Sequence, residues 1–415
     1  MWDDKPPQNH SPKEECLMID IITARQEAGK FFYAYGFGEI LSGVPQNRLG
    51  EMIFSLAMKG NQSKTTDFAE LNQGFRTTYG HFLSKGKWDE KAVSQKQQEK
   101  SFQKAAELAL AKQAPLYLSI DDTVIEKKKP SSRAKRPMEG TGWHYSHLAG
   151  KQVFGYQVFG ANISTGDFSL CYCLQRCCPE NGSKLDMAVR LLDTLPETDA
   201  RVIVQMDSWY TCKALWDKAL KKNITLIGAM KTNRILFPDG HRRSALDYAA
   251  MLPNDQYHLV TVGGHEYWIH RYEGALNGID KAVVLLSYPK DTFGKKSALR
   301  VFVCSDLCLS DEAILTHYTH RWKIEVMFKQ HKMYMGLKSF MVRSAKAIDR
   351  LLSSFPWLIS SLLHFLSPSS LCLPLFAASG VFCAIFNFAH LEYTILILLS
   401  TAKSQTNQLF SNKVD

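Results

Sequence analysis

The sequence predicts an α/β fold: a mixed sheet flanked by helices, interrupted by a β-rich insertion, with a helical N-terminal domain and an apolar helical C-terminal region. Three observations predict it. Short apolar runs alternate with helix-length amphipathic stretches from about residue 115 to 233, in the order β-β-β-α-β-α-β. Residues 234–309 break that alternation with β-like pieces such as "YHLVTVGGHEYWIHRY" and "KAVVLLSY". A proline-free stretch then opens at Ser310-Asp311, good N-cap and first-turn residues, and reads as one long helix to about Met333.

Residues 1–114 read as a helical domain suited to DNA-end binding. Within it, "RLGEMIFSLAMKGNQSKTTDFAELNQGF" offers helix, polar turn and helix; Gly60 ends the first, and Thr65 or Thr66 caps the second. The core domain falls at 115–233 and 310–349. "APLYLSIDDT" is a buried strand closed by two aspartates, and "KQVFGYQVFGANIS" with "DFSLCYCLQRCC" forms a hairpin around Ser164-Thr165-Gly166. A helix at Leu185–Leu195 precedes the strand "RVIVQM", which ends at Asp207; a helix at Tyr210–Lys222 leads to "ITLIGAM". In a mixed sheet of this order, the strands that end in Asp121-Asp122 and in Asp207 lie side by side. Residues 350–415 are apolar, but Pro356, His364, Pro368, Pro374, Asn387, His390 and Glu392 interrupt the runs, so buried helices are expected there rather than a membrane span; Leu375–Ala389 comes nearest to one.

The chain has 415 residues, 45% hydrophobic and 22% charged, enough to bury a core. A net charge of +10 favours polyanionic partners, nucleic acid first. The start, MWDDKPPQNHSPKEE, lacks the basic and apolar regions of a secretory signal. Ten cysteines include the cluster Cys171, Cys173, Cys177 and Cys178, whose spacing suits reduced thiols on a strand better than a zinc site.

The segment "YTHRWKIEVMFKQHK" carries the chemistry. At about 100° per residue, Tyr318, Arg321, Glu325 and Lys332 fall on one helical stripe about 60° wide. Trp322, Val326 and Leu315 lie beside it, so the stripe borders the buried face. Salt-bridging of Glu325 by Arg321 alone would explain a plain amphipathic helix. The acidic strand ends add a second reason. Carboxylates at neighbouring ends repel unless a cation sits between them, and hard oxygens suit Mg²⁺ or Mn²⁺. Three carboxylates can hold two ions for in-line displacement at phosphorus. Arg321 and Lys332 would then face the phosphodiester backbone, with the Tyr318 hydroxyl beside them.

Tyr318-x2-Arg321-x3-Glu325-x6-Lys332 resembles the Y-R-E-K signature of bacterial insertion-sequence transposases with a ribonuclease-H-like DDE catalytic domain, the subgroup with a β-rich insertion before the glutamate helix. "SIDDTVIEKKK" and "VIVQMDSWYTCKALWDKALKKNITLIGAMKTNR" are similar to its first- and second-aspartate segments. The resemblance spans about 115–345. It implies a catalytic, metal-binding triad of Asp121, Asp207 and Glu325, with Asp122 the runner-up for Asp121 because relatives show Asp-x-Ser/Thr there. It further implies two Mg²⁺ or Mn²⁺ ions, terminal inverted repeats and target DNA as partners, a homodimer in the active complex, no membrane, and a cytoplasmic, nucleoid-associated location. Some relatives hold a flipped base on an aromatic side chain of the insertion; Trp268 is the candidate, with packing on a β core the alternative.

Other features read more plainly. Trp209 and Tyr210 pack at a helix start. His144 and His147 in "GWHYSHL" belong to a hairpin loop rather than a metal site. The loop Lys127–Arg136 carries six positive charges in ten residues and is either a solvated face or a DNA-backbone contact. A nuclease that cuts without joining and an inactive DNA-binding derivative are the rival readings.

Overall fold

The computed structural model describes residues 35–41, 43–60, 63–133, 138–146 and 149–365, with isolated positions between 29 and 33. His147, residues 134–136 of the basic loop and the tract Leu375–Ala389 lie outside them. The chain divides into two compact units, Met1–Gln97 with Gln330–Asp415, and Gln98–Lys329. In chain order the longer helices are α1 (Val44–Lys59), α2 (Thr65–Leu71), α3 (Arg76–Ser84), α4 (Glu90–Ala111), α5 (Lys184–Asp193), α6 (Lys213–Lys221), α7 (Ala245–Met251), α8 (Asp311–Thr319), α9 (Trp322–Met333) and α10 (Ala345–Phe365). None in the described residues is long and apolar enough to cross a membrane.

The first unit is helical where described. Gly60 ends α1 in a left-handed conformation (φ 60°) that suits a residue without Cβ. The cap of α2 is Lys64, not Thr65 or Thr66: its extended backbone precedes the helix, and its N–H donates to the Asp67 carboxylate at 2.7 Å. Trp357 of α10 packs on Phe37, ring centroids 4.1 Å apart. Beside it the fully buried Arg350 spends its donors on the turn between α3 and α4. It reaches the carbonyls of Phe82, Leu83, Gly86 and Trp88 at 2.7–3.2 Å, pairs with Glu90 at 3.0 Å and lies over the Trp88 ring. A buried guanidinium is tolerable only when its donors are met this way.

The second unit is built on one sheet of β1 (Leu116–Glu126), β2 (Gly142–Ser146), β3 (Lys151–Thr165), β4 (Phe168–Arg176), β5 (Val202–Met206), β6 (Thr225–Met230), β7 (Ile235–Leu236), β8 (Arg243–Ser244), β9 (His258–Val262), β10 (His265–Leu276), β11 (Ile279–Pro289) and β12 (Arg300–Cys304). Their order is β2-β3-β1-β5-β6-β12-β11-β10-β7-β8, with β4 also on β3 and β9 also on β10. The stretch β4-β3-β1-β5-β6, antiparallel meander then two parallel strands, is the ribonuclease-H-like core. The hairpin turns at Gly166 (φ 51°) as its sequence demands.

Two strand expectations need correction. β1 does not close at its aspartates but runs on to Glu126, because β3 pairs with it from Tyr117 through Glu126. Residues 142–146 are a strand on β3 rather than a hairpin loop, so His144 is a strand residue. The insertion also does more than interrupt: its last strand, β12, pairs antiparallel with β6, so the core sheet continues into it.

The predicted long helix is two. α8 ends at Thr319, and i→i−3 hydrogen bonds from His320, Arg321, Lys323 and Ile324 tighten the chain into a 3₁₀-like step before α9 settles. The step changes the phase of the stripe. Trp322, expected beside the buried face, is 64% exposed instead.

Candidate active site

The site forms where β1 and β5 run parallel. Tyr117 pairs with Ile203, Ser119 with Gln205, and Ile120 with Met206. Asp121 and Asp207 follow that last pair, so the two carboxylates leave neighbouring strands at the same level. Tyr117, Ser119 and Asp121 alternate onto one face of β1; Ile203, Gln205 and Asp207 match them from β5.

That face is covered by the two-part helix, and polar side chains fix how it sits. Ser119 donates to the Gln205 amide oxygen at 2.7 Å with both residues buried, which leaves the Gln205 amide to donate to the His317 carbonyl at the end of α8. The Tyr117 hydroxyl meets His317 Nδ1 at 2.8 Å, and its ring stacks on His320 at 4.3 Å. On the far side, Gly160 of β3 pairs with Asp121. A Cβ there would come within 2.7 Å of the Phe328 ring, so glycine lets α9 lie close against the sheet.

Arg321 and Glu325 therefore arrive over Asp121 and the end of β5. Arg321 Nη1 donates to Asp121 Oδ2 at 2.9 Å, and Nη2 donates to Glu325 Oε1. Burial works against the charge of Arg321, but Tyr318, Asp121 and Glu325 outweigh it and hold the guanidinium above its ordinary pKa. Burial and the nearby Asp207 push the Asp121 carboxyl up to about 6, against the pull of Arg321 and of the Asp122 N–H, which donates to it at 2.8 Å. Asp207 Oδ1 accepts the Trp209 N–H at 2.9 Å. Tyr318 packs edge-on against Phe302 at 4.8 Å. Burial first, with Asp207 and Asp121 adding to it, raises its hydroxyl pKa, while Arg321 opposes. Asp121, Asp207, Tyr318, Arg321 and Glu325 thus share one electrostatic neighbourhood.

Asp122 points the other way. It accepts from Gln157 Nε2 at 2.6 Å, Lys184 Nζ at 2.7 Å and the buried Tyr210 hydroxyl at 3.0 Å, behind the sheet. Trp209, expected to pack, is 53% exposed, with the Lys184 and Lys231 amines 4.7 and 5.2 Å from its ring.

Lys332 lies beyond the division at Gln330, in the first unit, where burial and then Lys338 lower its amine pKa. Trp268 is half-buried on β10, opposite Tyr288 and Leu259, with its ring 5.5 Å from Phe293, which fits a packing role within the insertion. Cys171 and Cys173 are buried in β4, where desolvation pushes the Cys173 thiol up to about 12. Burial lowers the pKa of Lys127 to about 8, while Lys128, Lys129 and Arg133 of the same loop are exposed.

Among the described residues no three His, Cys, Asp or Glu side chains stand close enough to share one ion as placed. The Arg321 fork takes the space between Asp121 and Glu325. Yet the donor set is all carboxylate oxygen, as hard divalent ions require, and burial first, then the neighbouring Asp207, raises Asp121 against the pull of Arg321.

The sheet order, with acidic side chains leaving its two central parallel strands at one level, defines the class: a ribonuclease-H-like α/β domain. The family follows from the sequence. The Transposase DDE domain family matches residues 112–353, more than half of the chain, and the protein belongs to it. Nothing among the curated proteins matches. Among solved structures the chain is similar to a piggyBac transposase, seen by cryo-EM as a synaptic complex with hairpin DNA. Identity is 11% over 83% of this chain and 73% of that one, at a TM-score of 0.40, too weak a likeness to carry an argument.

Proposed function

We propose that this transposase cleaves phosphodiester bonds at transposon ends and joins the freed 3′-hydroxyl to target DNA, with Asp121, Asp207 and Glu325 as its catalytic carboxylates. One observation carries the reading: residues far apart in the chain, Asp121 and Glu325, meet on a single Arg321 guanidinium beside Asp207. The three carboxylates would hold two divalent ions, Mg²⁺ or Mn²⁺. Ions bound there would supply charge stabilisation for the entering and leaving oxygens of an in-line displacement.

The chain's own groups do the rest. Arg321 keeps Asp121 and Glu325 from repelling before DNA arrives. Its planar fork then suits a phosphate as well as a carboxylate. The Tyr318 hydroxyl, kept protonated by burial, offers a donor to the same phosphate. Lys332 adds a point charge for the backbone, and the helical N-terminal domain is assigned to recognition of the terminal inverted repeats. Trp268 remains the stacking candidate of the insertion. A homodimer would bring two ends together, acting in the cytoplasm at the nucleoid.

The deciding experiment is cleavage of end-bearing DNA with Mg²⁺, followed by a strand-transfer assay. Wild type should cut and join. Glu325→Gln should bind the same DNA and do neither. Equal cutting by both removes Glu325 from the mechanism, and cutting without joining reduces the protein to a nuclease.

A further inference from the structure

Strand β2 displays two large aromatic side chains. Trp143 is 58% exposed and Tyr145 51% exposed, at alternate positions and so on one side of the strand. The register tells which side. Trp143 pairs with Phe154 and Tyr145 with Gln152. Along β3, Phe154 shares its face with Tyr156, Val158 and Gly160, and these pair with Ile125, Thr123 and Asp121. Trp143 and Tyr145 therefore stand on the same face of the sheet as Asp121 and Asp207. His144 is turned to the opposite face, toward Asp122 and Lys184, whose charges it feels.

The surroundings are basic. β1 runs from Asp121 to Glu126 and passes directly into the loop with the exposed Lys128, Lys129 and Arg133. The Lys129 amine lies 5.7 Å from the centre of the Trp143 ring, and Phe154 supports that ring edge-on at 5.7 Å. The strand covers about 16 Å between Asp121 and Glu126. A DNA strand at its stacked spacing of about 3.4 Å crosses that distance in roughly five nucleotides.

We infer that Trp143 and Tyr145, with Lys128, Lys129 and Arg133, form a second DNA-binding surface that stacks unpaired bases of a strand leading away from the carboxylates. Exposed rings give every base a π-face to lie on, and flanking lysine and arginine track the phosphates; that combination selects single strands over duplex without reading sequence. A buried apolar partner would not call for three cations at its rim. The inference rests on the transposase reading only for which polymer crosses the sheet.

The test uses the full-length protein in EDTA, so that no cutting occurs, with fluorescence anisotropy on three labelled DNAs: a single strand, a blunt duplex and a duplex with a single-stranded tail. Trp143→Ala/Tyr145→Ala should weaken binding of the single strand and the tailed duplex by about 25-fold or more, taking about fivefold for each ring at the weak end of base–aromatic stacking. Binding of the blunt duplex should stay within about twofold. Trp143→Phe, which keeps a ring, should retain most of the single-strand affinity. An unchanged single-strand affinity in the double variant overturns the inference. So does an equal loss on blunt duplex, or a double variant whose oligomeric state shifts in sedimentation, which would give the rings to a protein interface. Failure of the wild type to cut transposon ends would sink the catalytic reading and leave this binding result standing.

Discussion

On one face of β1, Asp122 is surrounded by donors: Lys184, Tyr210 and Gln157 all reach it within 3.0 Å. On the other face its neighbour Asp121 has a second aspartate close by, one shared guanidinium and a pKa pushed up to about 6. The two residues are identical, adjacent and comparably buried, yet one is satisfied by the fold and the other is not. A carboxylate that the protein has already neutralised and hydrogen-bonded has little left to offer a metal or a phosphate. One held beside a like charge in a desolvated place is in the condition that functional sites require.

The largest expected effect comes from the unsatisfied side. Asp121→Asn, Asp207→Asn and Glu325→Gln should each lower the rate of end cleavage by about 10³-fold or more in a gel assay, with unchanged circular dichroism. An Asp122→Asn protein that is folded and equally dead would break the comparison. The second effect belongs to the satisfied side. Asp122→Ala strands the Lys184 amine and the Tyr210 hydroxyl in low-dielectric surroundings and should cost about 2–4 kcal/mol in urea melts, with cleavage in the folded protein reduced less than tenfold.

Gly160→Ala is a subtler probe. Its Cβ would press on the Phe328 ring and lift α9, moving Glu325 relative to Asp121. A cost of about 1–3 kcal/mol is expected, with cleavage falling by roughly tenfold because the geometry of the carboxylates loosens.

The smallest effect is in the acid limb of stability. His320, half-buried and close to Lys323 and His317, has its pKa lowered to about 4 by desolvation first and by those charges second. The unfolded chain then takes up that proton first, so stability present above about pH 6.5 is lost as pH falls toward 4. Asp121 has the opposite sign: the folded state binds its proton more tightly, so stability rises as pH falls from about 6 toward 3.8. Asp121→Asn should therefore steepen the acid loss in melts between pH 6 and 4, and His320→Asn should flatten it. An Asp121→Asn profile that keeps the wild-type slope would contradict the raised carboxyl.

Much of this was legible in the sequence because it is written in periodicity and local chemistry. The strand order, the pairing of the two acidic strands and the meeting of Arg321 with Glu325 follow from alternation and from i, i+4 spacing. What escaped depends on register. The Asp-x-Thr pattern favours Asp121 over Asp122 but does not show where either side chain goes; the partners of Asp122, Lys184, Tyr210 and Gln157, come from far along the chain. The anchoring of α8 by Tyr117, Ser119 and Gln205 has a trace in the alternation of polar residues on otherwise apolar strands. A buried strand keeps such residues when they hydrogen-bond across it. The break at His320 has no glycine or proline to announce it. The 3₁₀-like step there turns Trp322 away from the side on which an unbroken helix would place it.

The pairing of β12 with β6 has a further consequence. Residues 234–309 cannot be excised as a self-contained cassette, because their removal would lay bare the backbone donors and acceptors of β6 and invite another chain to dock there. A minimal catalytic fragment lacking them is expected to clump rather than to fold. For the same reason a pull on the far tip of the insertion would be felt, strand by strand, where Asp207 leaves β5.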